Sequence, residues 1–396
     1  GGYTAYLGPI QRIVPTGPHQ LTIETRGPTP LLPNYLTRIF ILSRKIHGEA
    51  KTEDFNSGRA MIGTAPYRLA GAQGMTALEL ATRDDYWGGR PAWPRVTTRV
   101  IGNDAARLAA LLAGDIDVIE TVPTQDAARL SADARVTVSS INSTRIMYFW
   151  FDWLNQGAMP NYAAQDGSPL EKNPFLDARV RRAFDKAIDR TAIAERLMDG
   201  FATPAAQFVR EGQLGFDPAI VAEPYDPAGA RALLAEAGFP NGFRLTVHGP
   251  NNRWNNDGKL VATAAQMLSR IGITTRAEAL PFAIYVPRET RAEFSFHLSG
   301  AGSWTGEAGS AFTDVLMTQD RERGTGAVNR GRYSNPAFDN IVEESSRTLD
   351  REARGALLLK AAGIMKQEVP FVMLHQEMNI WAARKGLRYI ARHDER

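Results

Sequence analysis

At 396 residues the chain exceeds what one hydrophobic core usually serves, so at least two lobes are expected. Hydrophobic residues make up 43% and charged residues 22%, a globular composition, and no run approaches the roughly 18 consecutive apolar residues of a membrane-spanning helix. The net charge of +3 is spread along the chain, and basic pairs such as Arg181-Arg182 are interrupted by acids, which reads as a solvated helix face and excludes a nucleic-acid patch.

The chain opens on Gly1-Gly2-Tyr3, so no signal peptide is visible in it. Leu21 and Ile23 alternate with polar neighbours in 20–25, the pattern of a half-buried strand, and Pro28, Pro30 and Pro33 then break the chain before a helical stretch from Tyr35 to Ile46. One strand and one helix cannot bury their own faces, so this opening needs partners from elsewhere. Strand candidates follow at Tyr67–Leu69, Leu78–Leu80 and Val96–Ile101. Asn103-Asp104 caps a helix through 107–112 that Gly114 ends. Short strands are expected at 117–119 and 136–138. The run 145–155, with Arg145, Tyr148 and Trp150, is the most aromatic of the chain. It reads either as a buried strand or as a crossover strand whose aromatics face a cleft.

Asp177 opens an amphipathic helix with Val180, Ala183, Phe184, Ala187 and Ile188 on one face. Asp226 and Pro227 start another helix that ends by Gly238. A strand at 243–247 precedes a helix from Lys259 to Ile271. The segment 276–300 ends in a strand at Phe294–Leu298, two helices split near Asp350 fill 335–369, and a strand occupies 371–381. Alternating strands and helices indicate an α/β sheet.

Catalytic constellations are poor. The chain has no Gly-x-Ser-x-Gly, no His-Glu-x-x-His and no phosphate-cradling glycine loop. With Cys 0 it can form neither disulfides nor thiolate sites, which suits an oxidising compartment without proving one. Gly300-Ala301-Gly302 begins like a dinucleotide fingerprint but Thr305 stands where the third glycine belongs. His248 and His297 read as satisfied structural histidines rather than metal ligands, so no metal and no cofactor is expected. What stands out is two polar-aromatic loops that each follow a strand: 249–257, with Asn252, Arg253 and Trp254, and 299–307, with Trp304 and Glu307. Ligands of open α/β sheets sit beyond the carboxyl ends of strands, where such loops converge.

Several stretches together resemble the family 5 (oligopeptide and dipeptide) solute-binding proteins of ABC importers. They are Gly63-Thr-Ala-Pro-Tyr-Arg-Leu69, Asp85-Tyr-Trp-Gly-Gly89, Arg107 through Asp117, Asp177 through Ala183 with Ala187-Ile-Asp-Arg190, Tyr225-Asp-Pro227 with 230–240, Arg332 through Asp339, and Pro370. The resemblance covers essentially the whole chain and implies an α/β periplasmic-binding-protein-like fold (type II, cluster C), two-lobed, with mixed sheets and a hinge. Against that family the N-terminal part is missing: residues 1–62 match a remnant of the small domain II and the return to lobe I, 63–145 lobe I, 146–385 lobe II with the main ligand loops, and 386–396 a return toward lobe I.

The resemblance also implies function. Such a protein is a periplasmic monomer that captures a small peptide or peptide-like solute and delivers it to the ABC permease, with no nucleic acid involved and no bond broken. In peptide-binding members an acidic residue of the second loop holds the ligand's α-amino group, a position Glu307 occupies, although the usual residue is Asp; an Arg of the first loop holds the carboxylate, a position matched by Arg253. Asn252, Trp254, Trp304, Tyr148 and Arg145 complete the implied site. Against this stand a surface role for the loop charges, a non-peptide cargo (opine, oligosaccharide, haem or metal chelate), and a periplasmic hydrolase, for which no nucleophile and base are apparent.

Overall fold

The structure is a computed structural model that describes residues 3–74 and 76–393. The chain divides into two compact units: Thr37–Ile119 forms one, and Gly1–Leu36 with Glu120–Arg396 forms the other. In chain order the strands are β1 (Ile10–Gly17), β2 (Gln20–Thr25), β3 (Tyr67–Gln73), β4 (Ala77–Thr82), β5 (Arg95–Arg99), β6 (Val118–Glu120), β7 (Val136–Phe151), β8 (Tyr162–Ala163), β9 (Ala202–Pro204), β10 (Arg244–Pro250), β11 (Thr274–Leu280), β12 (Phe296–Gly302) and β13 (Phe371–Arg384).

The smaller unit is an antiparallel sheet, β3-β4-β5, with a helix at Asp104–Ala113. Asn103 caps that helix by accepting from the Ala106 amide, Leu108 and Leu111 are its buried face, and Gly114 stops it in a left-handed turn (φ 87°) that few other residues adopt.

In the larger unit the sheet runs β11-β10-β12-β7-β13, with β8 added on β10 and β9 on β13. Strands β10, β11 and β12 are mutually parallel, whereas β7 is antiparallel to both of its neighbours. Alternation along β7 separates two cores. Met147, Phe149 and Phe151 face one side, packing with Phe296, Phe175 and the Val180/Phe184 face of the helix Ala178–Ala187. Ile146, Tyr148 and Trp150 face the other, against Phe371, Phe312, Phe338 and the helix Arg351–Glu368. Both faces of the last part of this strand are therefore buried, the reason Ile146–Phe151 is a continuous apolar run.

Several expectations are corrected. Residues 136–138 and 145–155 are not separate elements: polar Ser139, Ser140, Asn142 and Ser143 continue one sixteen-residue strand, because β13 pairs with it from Val136 to Trp150. The helix expected from Tyr35 to Ile46 is instead two short helices, Leu32–Leu36 and Arg44–His47, joined by non-helical chain. The single N-terminal strand is the second half of the hairpin β1-β2, whose first half carries Pro15. Arg181 is no solvated charge. It is buried, donates to the carbonyls of Phe175 and Glu368, and lies over the Trp153 ring at 4.2 Å; its long stem and planar head suit that seat better than a lysine would.

Histidines 248, 297 and 375 are all buried, and ring nitrogens of each lack a hydrogen-bond partner, contrary to the expectation of satisfied rings at 248 and 297. Burial lowers His248 to about 4, His297 to about 3 and His375 to about 4, since charging a ring in an apolar core is unfavourable. His297 faces Glu289 (Nε2–Oε1 3.7 Å). Glu289 is raised to about 7 by its own burial, with Arg330 pulling the other way from 3.6 Å.

Candidate functional site

The two loops singled out in the sequence leave β10 and β12, which lie side by side in parallel, so both emerge at the carboxyl ends of neighbouring strands. The first is shaped by Asp257. Its carboxylate accepts from the backbone amides of Arg253 (2.8 Å), Trp254 (3.0 Å) and Gly258 (2.8 Å). Asn252 accepts from the Phe282 amide at 2.8 Å. Asn256 adopts a left-handed backbone (φ 57°) that asparagine tolerates, and its amide donates to Thr124 Oγ1 (2.8 Å) and the Leu197 carbonyl (3.1 Å). With the backbone held from below, the exposed Arg253 guanidinium rests over the rings of Phe282 (5.3 Å) and Trp254 (5.7 Å), within cation–π range.

The second loop is held by hydroxyls and by an ion pair. Ser303 Oγ donates to the Glu307 carbonyl (2.5 Å), while Ser310 Oγ accepts from the Trp304 amide (3.3 Å) and from Thr305 Oγ1 (2.9 Å). Asn34 reaches the Thr305 carbonyl at 3.4 Å. Trp304 remains 48% exposed. Glu307 is turned inward, 5% exposed, and accepts from Arg354 Nε at 3.1 Å. Arg354 is itself 7% exposed, and its Nη1 donates to the carbonyls of Thr348 (3.0 Å) and Leu349 (3.2 Å). Burial raises the Glu307 carboxyl above its ordinary range, with Arg354 acting against that rise. Breaking such a pair strands a buried charge at a cost of about 3–5 kcal/mol.

On the side of β12 away from β10, β7 contributes Arg145, paired in register with Gly302 and bridged to Glu377 at 2.9 Å. The glycines of β12 belong to this geometry. A Cβ on Gly300 would lie 2.8 Å from Met147 Sδ, 3.2 Å from Arg145 Cδ and 3.3 Å from Trp254 Cζ2, and one on Gly302 would lie 2.0 Å from the Thr144 carbonyl oxygen. Gly300-Ala301-Gly302 is therefore a close-approach device, not part of a dinucleotide fingerprint. Gly302→Ala is expected to destabilise the larger unit by about 1–3 kcal/mol, as overpacking does; an unchanged urea-unfolding midpoint would contradict the contact.

Of the seven residues predicted, the structure brings Arg145 and Trp254 together around Gly300, with Asn252 and Arg253 on Trp254's own loop and Trp304 two residues beyond the end of β12. Tyr148 is separated from them by the pleat. It lies an odd number of positions from Arg145 and is fully buried in the second core, edge-on to Trp150 at 5.6 Å and Phe208 at 5.8 Å. Glu307 is in the second loop but faces Arg354. Sequence reasoning missed Asp257, Ser310, Glu377 and Arg354. Asp257 left a local signal, an Asx-type side chain at a helix start a few residues after the amides it binds. Arg354 left none, being 47 residues from its partner.

A family profile described as "Bacterial extracellular solute-binding proteins, family 5 Middle" matches residues 1–321. The chain belongs to that family. It is 25% identical over 321 residues to Heme-binding protein A of Haemophilus influenzae, covering 78% of this chain and 54% of that protein. It is 26% identical over 332 residues to the glutathione-binding protein GsiB of Escherichia coli (strain K12), covering 82% of this chain and 61% of that protein. The chain thus spans somewhat over half the length of these curated relatives. Among solved structures it is similar to the ABC transporter-associated periplasmic binding protein DppA from Helicobacter pylori in complex with peptide STSA, with a TM-score of 0.78, 21% identity and coverage of 98% of this chain and 73% of that one. The fold is that of periplasmic binding proteins. Among the described residues no helix is long and apolar enough to cross a membrane.

Proposed function

We propose that this chain acts as a substrate-binding protein of an ABC importer, outside the cytoplasm, and captures a short peptide or peptide-like solute for a membrane permease without breaking any bond. The observation that carries the reading is the pair of internally braced loops on adjacent parallel strands, in which side-chain acceptors fix the backbone amides of Arg253, Trp254 and Trp304. Such preorganisation lowers the ordering cost of binding. In this reading Arg253 takes an anionic group, Trp254 and Trp304 supply apolar contact, Asn252 and Arg145 add polar contacts, and Glu307 and Tyr148 support the loops and strand from beneath. A non-peptide cargo is the second reading, favoured by the kinship to a haem-binding protein and a glutathione-binding protein.

Calorimetric titration with di- and tripeptides, glutathione and haem tests both. Saturable binding of one solute at a single site, with no product formed on long incubation, is the expected result. Absence of binding across the series would remove the transport reading, and turnover of a bound solute would replace it with catalysis.

A further inference from the structure

We infer that Glu289 is a proton-responsive positioning residue: its buried carboxyl turns to His297 when protonated and to Arg330 when ionised, and through the helix Phe282–Thr290 that choice sets the pose of the first loop. The inference rests on the ligand-binding reading above and adds to it a control by pH.

The helix is fastened to both the loop and the sheet. At its start the Phe282 amide donates to Asn252 of the first loop at 2.8 Å, and the Phe282 ring stands 6.3 Å from that of Trp254. One turn on, Tyr285 Oη donates to the Leu298 carbonyl of β12 at 2.7 Å. Pro287 lies inside the helix, where it removes a backbone bond and leaves a point of bending between the loop and Glu289. Glu289 is 5% exposed. Its Oε1 has no hydrogen-bond partner and stands 3.7 Å from His297 Nε2, while Oε2 stands 3.6 Å from Arg330 Nε, both beyond hydrogen-bond reach. Both ring nitrogens of His297 and, from β7, Tyr148 Oη and Trp150 Nε1 are buried and unpaired as well. A carboxyl so placed has two ways to close a bond. As an acid it donates to the neutral His297 ring; as an anion, its proton passed to water, it accepts from the Arg330 guanidinium. Either closure shortens one contact to about 2.9 Å and draws the helix end toward a different neighbour. The titratable and charged groups around the carboxyl are Tyr285 of its own helix, Tyr148 of β7, His297 of β12 with His248 of β10 behind it, and Arg330 and Arg332. Burial raises Glu289 to about 7 and keeps His297 neutral, so the proton exchanged near neutrality is carried by Glu289.

The test follows the indole N–H resonances of the intact chain, with no solute added, between about pH 5.5 and about pH 8.5, where no ordinary carboxylate titrates. Trp150, at the carboxyl, and Trp254, on the first loop, are expected to shift with one common midpoint of about 7, and neither is expected to shift in Glu289→Gln. Arg330→Met, at a side chain partly open to solvent, is expected to raise that midpoint by about one pH unit, because the ionised carboxyl loses its cation. A Trp150 that titrates while Trp254 stays still would overturn the inference, since the carboxyl would then change charge without moving the loop. A Trp254 shift that persists in Glu289→Gln, or a midpoint unmoved by Arg330→Met, would overturn it too. Because no solute is used, each of these outcomes leaves the ligand-binding reading standing, and a failure of the solute titrations leaves the titration of Glu289 as it is.

Discussion

Arg354→Leu is expected to destabilise the larger unit by about 3–5 kcal/mol, because Glu307 would be left buried without its partner. The pair spans two distant segments. Glu307 closes the Trp304 loop, and its backbone forms a parallel bridge with Leu214, reinforced by the Ala308 amide donating to the Leu214 carbonyl at 2.9 Å. Arg354 lies in the first turn of the long helix Arg351–Glu368, which Asp350 caps. The double variant Glu307→Leu/Arg354→Leu is expected to recover most of the loss, since two well-packed apolar groups replace a buried ion pair at little net cost. Urea unfolding of the wild type, both single variants and the double variant closes the cycle. Strictly additive losses would show that the two side chains do not interact, and the account of the second loop would fail.

The larger effect is on pH. His248, His297 and His375 are neutral in the folded protein, lowered by burial to about 4, 3 and 4, whereas the unfolded chain titrates near the ordinary value of about 6.5. The folded pKa lies below the unfolded one, so the stability these rings confer is complete above about pH 6.5 and is lost as pH falls toward 4. Each proton is worth about 1.4 kcal/mol per pH unit, so three rings forfeit roughly 8 kcal/mol by about pH 4.5. Glu289 has the opposite sign. Its pKa is raised to about 7, so its contribution is complete below the unfolded value and is lost as pH rises through 7. It returns about 3 kcal/mol on acidification. The net expectation for these four groups is a loss on the order of 5 kcal/mol between about pH 7 and about pH 4.5. Urea unfolding across that range measures it, and His375→Phe should flatten the slope by about one proton. A stability that is level or rising on acidification would mean that these rings are charged, or solvated, in the folded state.

Much of the scaffold is legible without coordinates because its signals are local. Asp177, Asp226 and Asp350 each cap the helix that the sequence places after them, since a short acceptor before an apolar periodicity satisfies free amides whatever surrounds it. The face of Val180, Ala183, Phe184, Ala187 and Ile188 is buried as its spacing demands. The loops after β10 and β12 were recognisable from strand, polar run and Trp alone.

Tertiary structure decided what distance along the chain conceals. Ser139 to Ser143 carry no strand signal of their own, yet pairing with β13 draws them into one continuous β7. Arg181, polar by composition, is buried because Phe175 and Glu368 happen to present carbonyls to it. The inward turn of Glu307 depends on Arg354, and the separation of Tyr148 from Arg145 depends on which face of β7 each core claims. Caps and periodicities are written in neighbouring residues, so the sequence by itself determined the capped helices, most of the strands and the family. Which way a charge points is set by a partner's position in space, and that only the folded chain could decide.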